Sequence, residues 1–122
     1  MLLNDLYTIL NNTQTENKII TEVKINAQHE IFKGHFPSQV VLPGVCMIEI
    51  AKEILQENLK IKLQLSKSRF AKFLNMFLPN QNTIATFEIE YQKLSGDEIQ
   101  ATITMKNNEL VYLKLQGVYK EK

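Results

Sequence analysis

The chain is poor in the residues that announce simple chemistry. It has one cysteine in 122 residues, Cys46. No disulfide can form within it, which suits a reducing compartment. No His or Cys pair has metal-ligand spacing, and no glycine-rich loop is built to cradle a phosphate. Neither sign of charge dominates: 14 basic and 13 acidic residues leave a net charge of +1. The lysines are scattered rather than striped, so nucleic acid and anionic membrane are not expected as main partners. No apolar run reaches the length of a membrane span. The start of the chain carries Asp5 and no leading basic cluster, unlike a signal peptide. The expectation is a cytoplasmic protein forming one domain over residues 1–122, with 44% hydrophobic residues to build its core.

Leu2, Leu3, Leu6, Ile9 and Leu10 recur at helical spacing and predict a short N-terminal helix ended by Asn11-Asn12-Thr13. Residues 18–27 are rich in β-branched types and predict a strand. Residues 33–44 form a structured loop, punctuated by Gly34, Pro37, Pro43 and Gly44. From Val45 to Leu55 the apolar residues cover most of a helix circumference, which predicts a buried helix ending near Gln56-Glu57-Asn58. Ile61, Leu63 and Leu65 alternate, and a second extended segment is expected over Arg69 to Phe77. Three more alternating runs follow, centred on Phe87, Ile103 and Leu113 and separated by Ser95-Gly96-Asp97 and Asn107-Asn108. They predict an antiparallel meander. One helix and five or six strands give an α+β domain in which a sheet wraps the helix. One sheet does not bury a helix on every side, so a second copy is expected to help.

Three features could carry chemistry. Glu49 stands among Cys46, Ile48, Ile50 and Ala51. Burying such a carboxylate unpaired is costly and would favour its protonated form. Alternatively, a neighbouring cation satisfies it, or it reaches solvent at a groove. Glu53 follows one turn later on the same face. His35 is held between Gly34 and Phe36-Pro37, a rigid setting that suits a general base, although a loop histidine more often just bonds a carbonyl. Pro43-Gly44-Val45 opens the helix, where the first amides lack intrahelical acceptors and could polarise a carbonyl. Gly44 would let a substrate approach the backbone. Cys46 near the helix start could be a nucleophile, but a small buried thiol is the commoner case. His29 has no role beyond local structure.

Gly34-His35-Phe36-Pro37, Pro43-Gly44-Val45 and Ile48-Glu49 together resemble the signature of the FabZ-type (3R)-hydroxyacyl-acyl carrier protein dehydratases. The strong part of the likeness spans Phe32 to Ala51. It implies a hot-dog fold, a long central helix wrapped by an antiparallel sheet, in a dimer whose two sites each take His35 from one subunit and Glu49 from the other. It implies that His35 takes the α-proton of a 3-hydroxyacyl thioester, Glu49 assists loss of the β-hydroxyl as water, and the Gly44 amide binds the thioester carbonyl. Phe36, Pro43 and Val45 would line the substrate. No cofactor is implied, because the acyl group rides on the phosphopantetheine arm of acyl carrier protein. The expected partners are that carrier and a second chain, in a homodimer, a higher oligomer or a heterodimer with a homologue. The chain departs from the family at Ser38 and Val40, at Glu53 where a glutamine is usual, and at Pro79-Asn80-Gln81. These departures put the substrate in question, with fatty acid synthesis or a related aryl polyene or polyketide-like lipid as the candidates. An acyl thioesterase on the same fold and a non-catalytic carrier-binding or heterodimer partner are the competing readings.

Overall fold

The computed structural model describes residues 1–33 and 40–122. Its elements run β1 (Tyr7–Gln14), β2 (Lys18–Ile25), a 3-10 turn (Glu30–Phe32), α1 (Gly44–Leu59), β3 (Leu63–Phe73), β4 (Ile84–Lys93), β5 (Glu98–Asn107) and β6 (Leu110–Glu121). All six strands join one antiparallel sheet in the order β1-β2-β4-β5-β6-β3. The alternation read from the sequence sets which side chains face inward. Ile19, Val23 and Ile25 of β2 bury together with Phe87 and Ile89 of β4, Ile99 and Ile103 of β5, and Leu113 and Leu115 of β6. Met47, Ile50, Ala51, Ile54 and Leu55 of α1 complete that core. The helix in a curled sheet is the α+β arrangement expected, and the meander β4-β5-β6 is present.

Both ends of α1 are fixed by neighbours. Pro43 is the N-cap residue in an extended conformation, and its carbonyl accepts from the amides of Cys46 and Met47. The Leu42 amide donates to the Phe77 carbonyl at 3.0 Å. Phe77 itself is buried and meets Tyr112 edge-on, with ring centroids 5.0 Å apart. At the far end Lys60 takes a left-handed conformation, φ 61°, which stops the helix. The Gln56 side chain then accepts from the Leu63 amide at 2.8 Å, and β3 begins. Gly96 (φ 74°) and Asn108 (φ 54°) supply the left-handed residues of the last two turns.

Two expectations need correction. The predicted N-terminal helix is absent: residues 2–6 make a single turn and β1 follows from Tyr7. Ten residues are too few for a helix to hold on its own, whereas pairing of Tyr7 with Ile25 through to Gln14 with Ile19 gives the segment a full ladder. The two extended pieces expected over 61–65 and 69–77 are one strand, whose bulges at Leu65/Lys67 and Ser68/Phe70 interrupt the alternation. As expected of a single sheet, α1 is not covered on every side. Val45 is 75% exposed, and the stripe that faces the core runs through Met47, Ile50 and Ile54 instead.

Candidate active site

His35 and Phe36, with Ser38 beside them, lie outside the described residues. The other four residues singled out from the sequence, Pro43, Gly44, Val45 and Glu49, gather on the first turns of α1. Val45 and Glu49 are one turn apart, so they share a face, and that face is left open by the chain's own sheet. The side chain of Glu49 is 40% exposed and pairs with Lys52 Nζ at 3.0 Å. Glu49 is therefore not the buried carboxylate that the apolar composition suggested. It has a neighbouring cation and it reaches solvent. The reason is helical phase: position 49 falls on the side opposite Met47, Ile50 and Ile54.

The buried acid is Glu53, 1% exposed. Its carboxylate accepts from the amides of Leu2 (2.8 and 3.1 Å) and Leu3 (3.0 Å) and from the Tyr7 hydroxyl (3.0 Å). Three donors on one carboxylate explain how a charge is tolerated there. Burial, with the Glu53 charge and hydrogen bond added, pushes the Tyr7 hydroxyl far above the usual phenol range. It stays a neutral donor.

Pro43 provides no side-chain cap among the described residues. The amides of Gly44 and Val45 thus have no intrahelical acceptor and point out of the helix start, where its dipole is positive. A Cβ on Gly44 would lie 2.6 Å from Cε1 of Phe73. What lies close against Gly44 in this chain is thus the Phe73 ring, itself half-exposed at the end of β3. Val45, Phe73, Leu74 and Met76 leave apolar side chains exposed. Burial, then the charge of Glu49, pushes the Cys46 thiol up, so Cys46 is a small core residue rather than a nucleophile. Among the described residues no group of three His, Cys, Asp or Glu side chains is arranged to hold a metal, and no helix is long and apolar enough to cross a membrane.

Sequence reasoning missed the work of Glu53, because two of its three donors are backbone amides that no residue type advertises, and the third, the Tyr7 hydroxyl, is far away in the sequence. It also missed Lys52, although a lysine three residues after a glutamate on one helix is a readable pair.

An antiparallel six-stranded sheet with one central helix, whose open face carries a carboxylate, defines a protein of the hot-dog fold. The chain belongs to the ApeI dehydratase family (ApeI-like), whose model matches residues 11–112. It is a divergent, FabZ-like member. The 3-hydroxyacyl-[acyl-carrier-protein] dehydratase FabZ of Rickettsia africae is 25% identical over 115 residues, covering 87% of this chain and 79% of that protein. A chain of the dehydratase heterocomplex ApeI:P from Xenorhabdus doucetiae superposes with a TM-score of 0.75 at 18% identity, covering 90% of this chain and 95% of that one. The fold is shared more widely. A thioesterase of Staphylococcus aureus superposes with a TM-score of 0.67 at 13% identity, over 95% of this chain and 93% of that one.

Proposed function

We propose that the chain eliminates water from a 3-hydroxyacyl thioester carried on acyl carrier protein, giving the trans-2-enoyl thioester. One arrangement supports the reading: the first amides of α1, at Gly44 and Val45, have no intrahelical acceptor, and Glu49, just over a turn further on, leaves its carboxylate open to solvent. The thioester carbonyl oxygen accepts from the Gly44 amide, which stabilises the enolate-like charge of the transition state. His35 takes the α-proton, the electron pair of that C–H bond forms the double bond, and the β-hydroxyl leaves. Glu49, in its protonated form, donates to that hydroxyl and gives it the proton with which it leaves as water, and the proton held by His35 then restores Glu49. A second chain covers the open face and brings its own His35 to Glu49, in a homodimer or in a heterodimer with a homologue. The exposed Val45, Phe73, Leu74 and Met76 support such a cover. No cofactor enters, because elimination is acid–base chemistry. The acyl group belongs to fatty acid synthesis or to a related aryl polyene or polyketide-like lipid.

The test monitors enoyl formation from 3-hydroxyacyl thioesters of several chain types. The wild type converts at least one, and His35→Ala and Glu49→Gln each lower turnover by roughly 10²- to 10⁴-fold. Inactivity on every chain type, or variants as active as wild type, refutes the reading. A thioesterase activity is the second reading, supported by a carboxylate open to water at Glu49. Release of free thiol from an acyl thioester without enoyl formation establishes it instead.

A further inference from the structure

Residues 73–77 form a short apolar wall beside the start of α1, and its backbone is fixed from two sides. Phe73, the last residue of β3, pairs with Leu113 of β6, and the Leu74 amide donates to the Tyr112 carbonyl at 2.9 Å. Asn75 Nδ2 donates to the Val111 carbonyl at 2.8 Å. At the other end the Phe77 carbonyl accepts from the Leu42 amide, two residues before α1. The Phe73 ring takes the place that a side chain at position 44 would fill. Its Cε1, Cζ and Cδ1 atoms lie 2.6, 2.8 and 3.0 Å from where a Cβ on Gly44 would stand. A Cα–Cβ bond tilts toward the N-terminus of its helix, and the free amides of the first turn point to the same end. The ring therefore stands at the end of α1 toward which the Gly44 amide points. Backbone dimensions put its edge within about 5 Å of that nitrogen. A thioester oxygen that accepts from the amide lies about 3 Å from it. The carbonyl carbon bears both the sulfur and the α-carbon, so the first acyl atoms and the ring have to share one space. The ring is 52% exposed, so it offers a surface that a substrate can meet.

We propose that Phe73 is a specificity-determining residue: its ring bounds the space beside the thioester, favouring straight 3-hydroxyacyl chains over those with a methyl branch at the α-carbon. The proposal rests on the dehydratase reading above. Phe73 takes no part in proton transfer and acts by shape alone. An α-methyl group adds bulk at the acyl atom nearest the amide, where the ring already fills the room that Gly44 leaves. Because the backbone of Phe73 is held in the β3–β6 ladder, the ring makes way only by turning about its own side-chain torsions. Half-exposed, it can turn, so the discrimination is modest and falls toward the low end of what one methyl group decides in a pocket.

The experiment measures kcat/KM for a straight 3-hydroxyacyl pantetheine thioester and for its 2-methyl counterpart, the latter as both epimers at the α-carbon so that a removable α-proton is offered in either orientation. Wild type, F73L and F73A are compared, with a thermal melt of each to show that it is folded. Wild type is expected to prefer the straight chain. F73A lowers that preference roughly three- to tenfold through a gain on a branched substrate, and F73L falls between the two. A merely structural role for the ring would lower both substrates alike and leave their ratio unmoved. A wild type without the preference, a ratio unchanged in both variants, or equal losses on both substrates each overturn the role of Phe73. A wild type inactive on every 3-hydroxyacyl thioester overturns the dehydratase reading and this role with it. A wild type active on the straight chain, with no gain on the branched one in either variant, overturns the role alone.

Discussion

Replacing Glu53 by alanine tests how the buried carboxylate is held. The side chain is 1% exposed and accepts from three donors within 3.1 Å. Each hydrogen bond to a charged group contributes about 1.5–3 kcal/mol. The amides of Leu2 and Leu3 are part-buried, so water recovers some of that loss. The Tyr7 hydroxyl is in the core and is left without an acceptor. Against these losses, removing the carboxylate ends the desolvation of a buried charge. The net expectation is a loss of about 3 kcal/mol, at the low end of the cost of deleting one partner of a buried charged contact. For a chain of this length that lowers Tm by about 10 °C. Glu53→Gln keeps the shape but turns an NH₂ toward a donor, and is expected to cost about half as much. Tyr7→Phe removes one donor and leaves the carboxylate two, for about 1 kcal/mol. Tyr7→Phe combined with Glu53→Ala should cost less than the sum of the two singles. Thermal melts monitored by circular dichroism at neutral pH give all four values. An alanine variant melting within about 2 °C of wild type, or a Tyr7→Phe variant less stable than Glu53→Ala, would refute this account.

Two glycine substitutions should separate by the firmness of what they strike. A Cβ on Gly117 meets the Lys67 carbonyl oxygen at 2.6 Å, a backbone atom held in the β3–β6 pairing. Gly117→Ala should therefore cost about 1–3 kcal/mol or more, read as a lower urea midpoint at unchanged slope. Gly44→Ala meets only the half-exposed Phe73 ring, which can swing, so its stability should stay within about 1 kcal/mol of wild type; equal costs at both positions would contradict this. The tyrosines predict an alkaline limit. Burial, then the charge of Glu49, pushes Tyr119 from the ordinary 10.0 up to about 12. Its folded-state value thus exceeds the unfolded one, so the neutral form's contribution is fully present below about pH 10 and is lost as pH rises toward about 12. The Tyr119 hydroxyl has no hydrogen-bond partner among the described residues. Tyr119→Phe should hold or raise stability at neutral pH and flatten the loss over that alkaline window, measured by urea unfolding across it. A Tyr119→Phe variant markedly less stable at neutral pH would show that the hydroxyl has a partner.

Local periodicity decides which parts of the fold are legible in the sequence. The start of α1 is marked by Pro43-Gly44, and its end by polar residues meeting Lys60 in the left-handed region. The strands β4, β5 and β6 are marked by strict alternation around two short turns. The segment from Leu2 to Leu10 misleads because its leucines suit a helix, while its fate is set by β2, whose Ile25 pairs with Tyr7. Partners distant in sequence outweigh local spacing in such a case. At β3 each bulge shifts the register by a residue, and alternation is blind to that. The candidate site is legible as a set of residues but not as an arrangement. A helix with apolar residues around most of its circumference does not say which side faces the sheet. Two of the three donors to Glu53 are amides, which every residue except proline possesses.

Glu49 and Glu53, one turn apart on α1, are suited to opposite work. Glu53 is held by three donors in the core. To reach a substrate it would have to abandon all of them and leave the Tyr7 hydroxyl unpaired, at a cost of several kcal/mol. Glu49 pairs with the half-buried Lys52 while its own side chain is 40% exposed, and a pair so open to solvent is worth about 0–1 kcal/mol. It can exchange that partner for a substrate hydroxyl at almost no cost. For the proposed reaction, a carboxylate that must take up and release a partner in each turnover fits position 49 better than position 53. Glutamate in place of glutamine at position 53 then has a physical reason that does not touch the chemistry. A carboxylate accepts from three donors at once, whereas an amide would present its own NH₂ to at least one of them. The glutamate at position 53 tracks how the N-terminal segment is held.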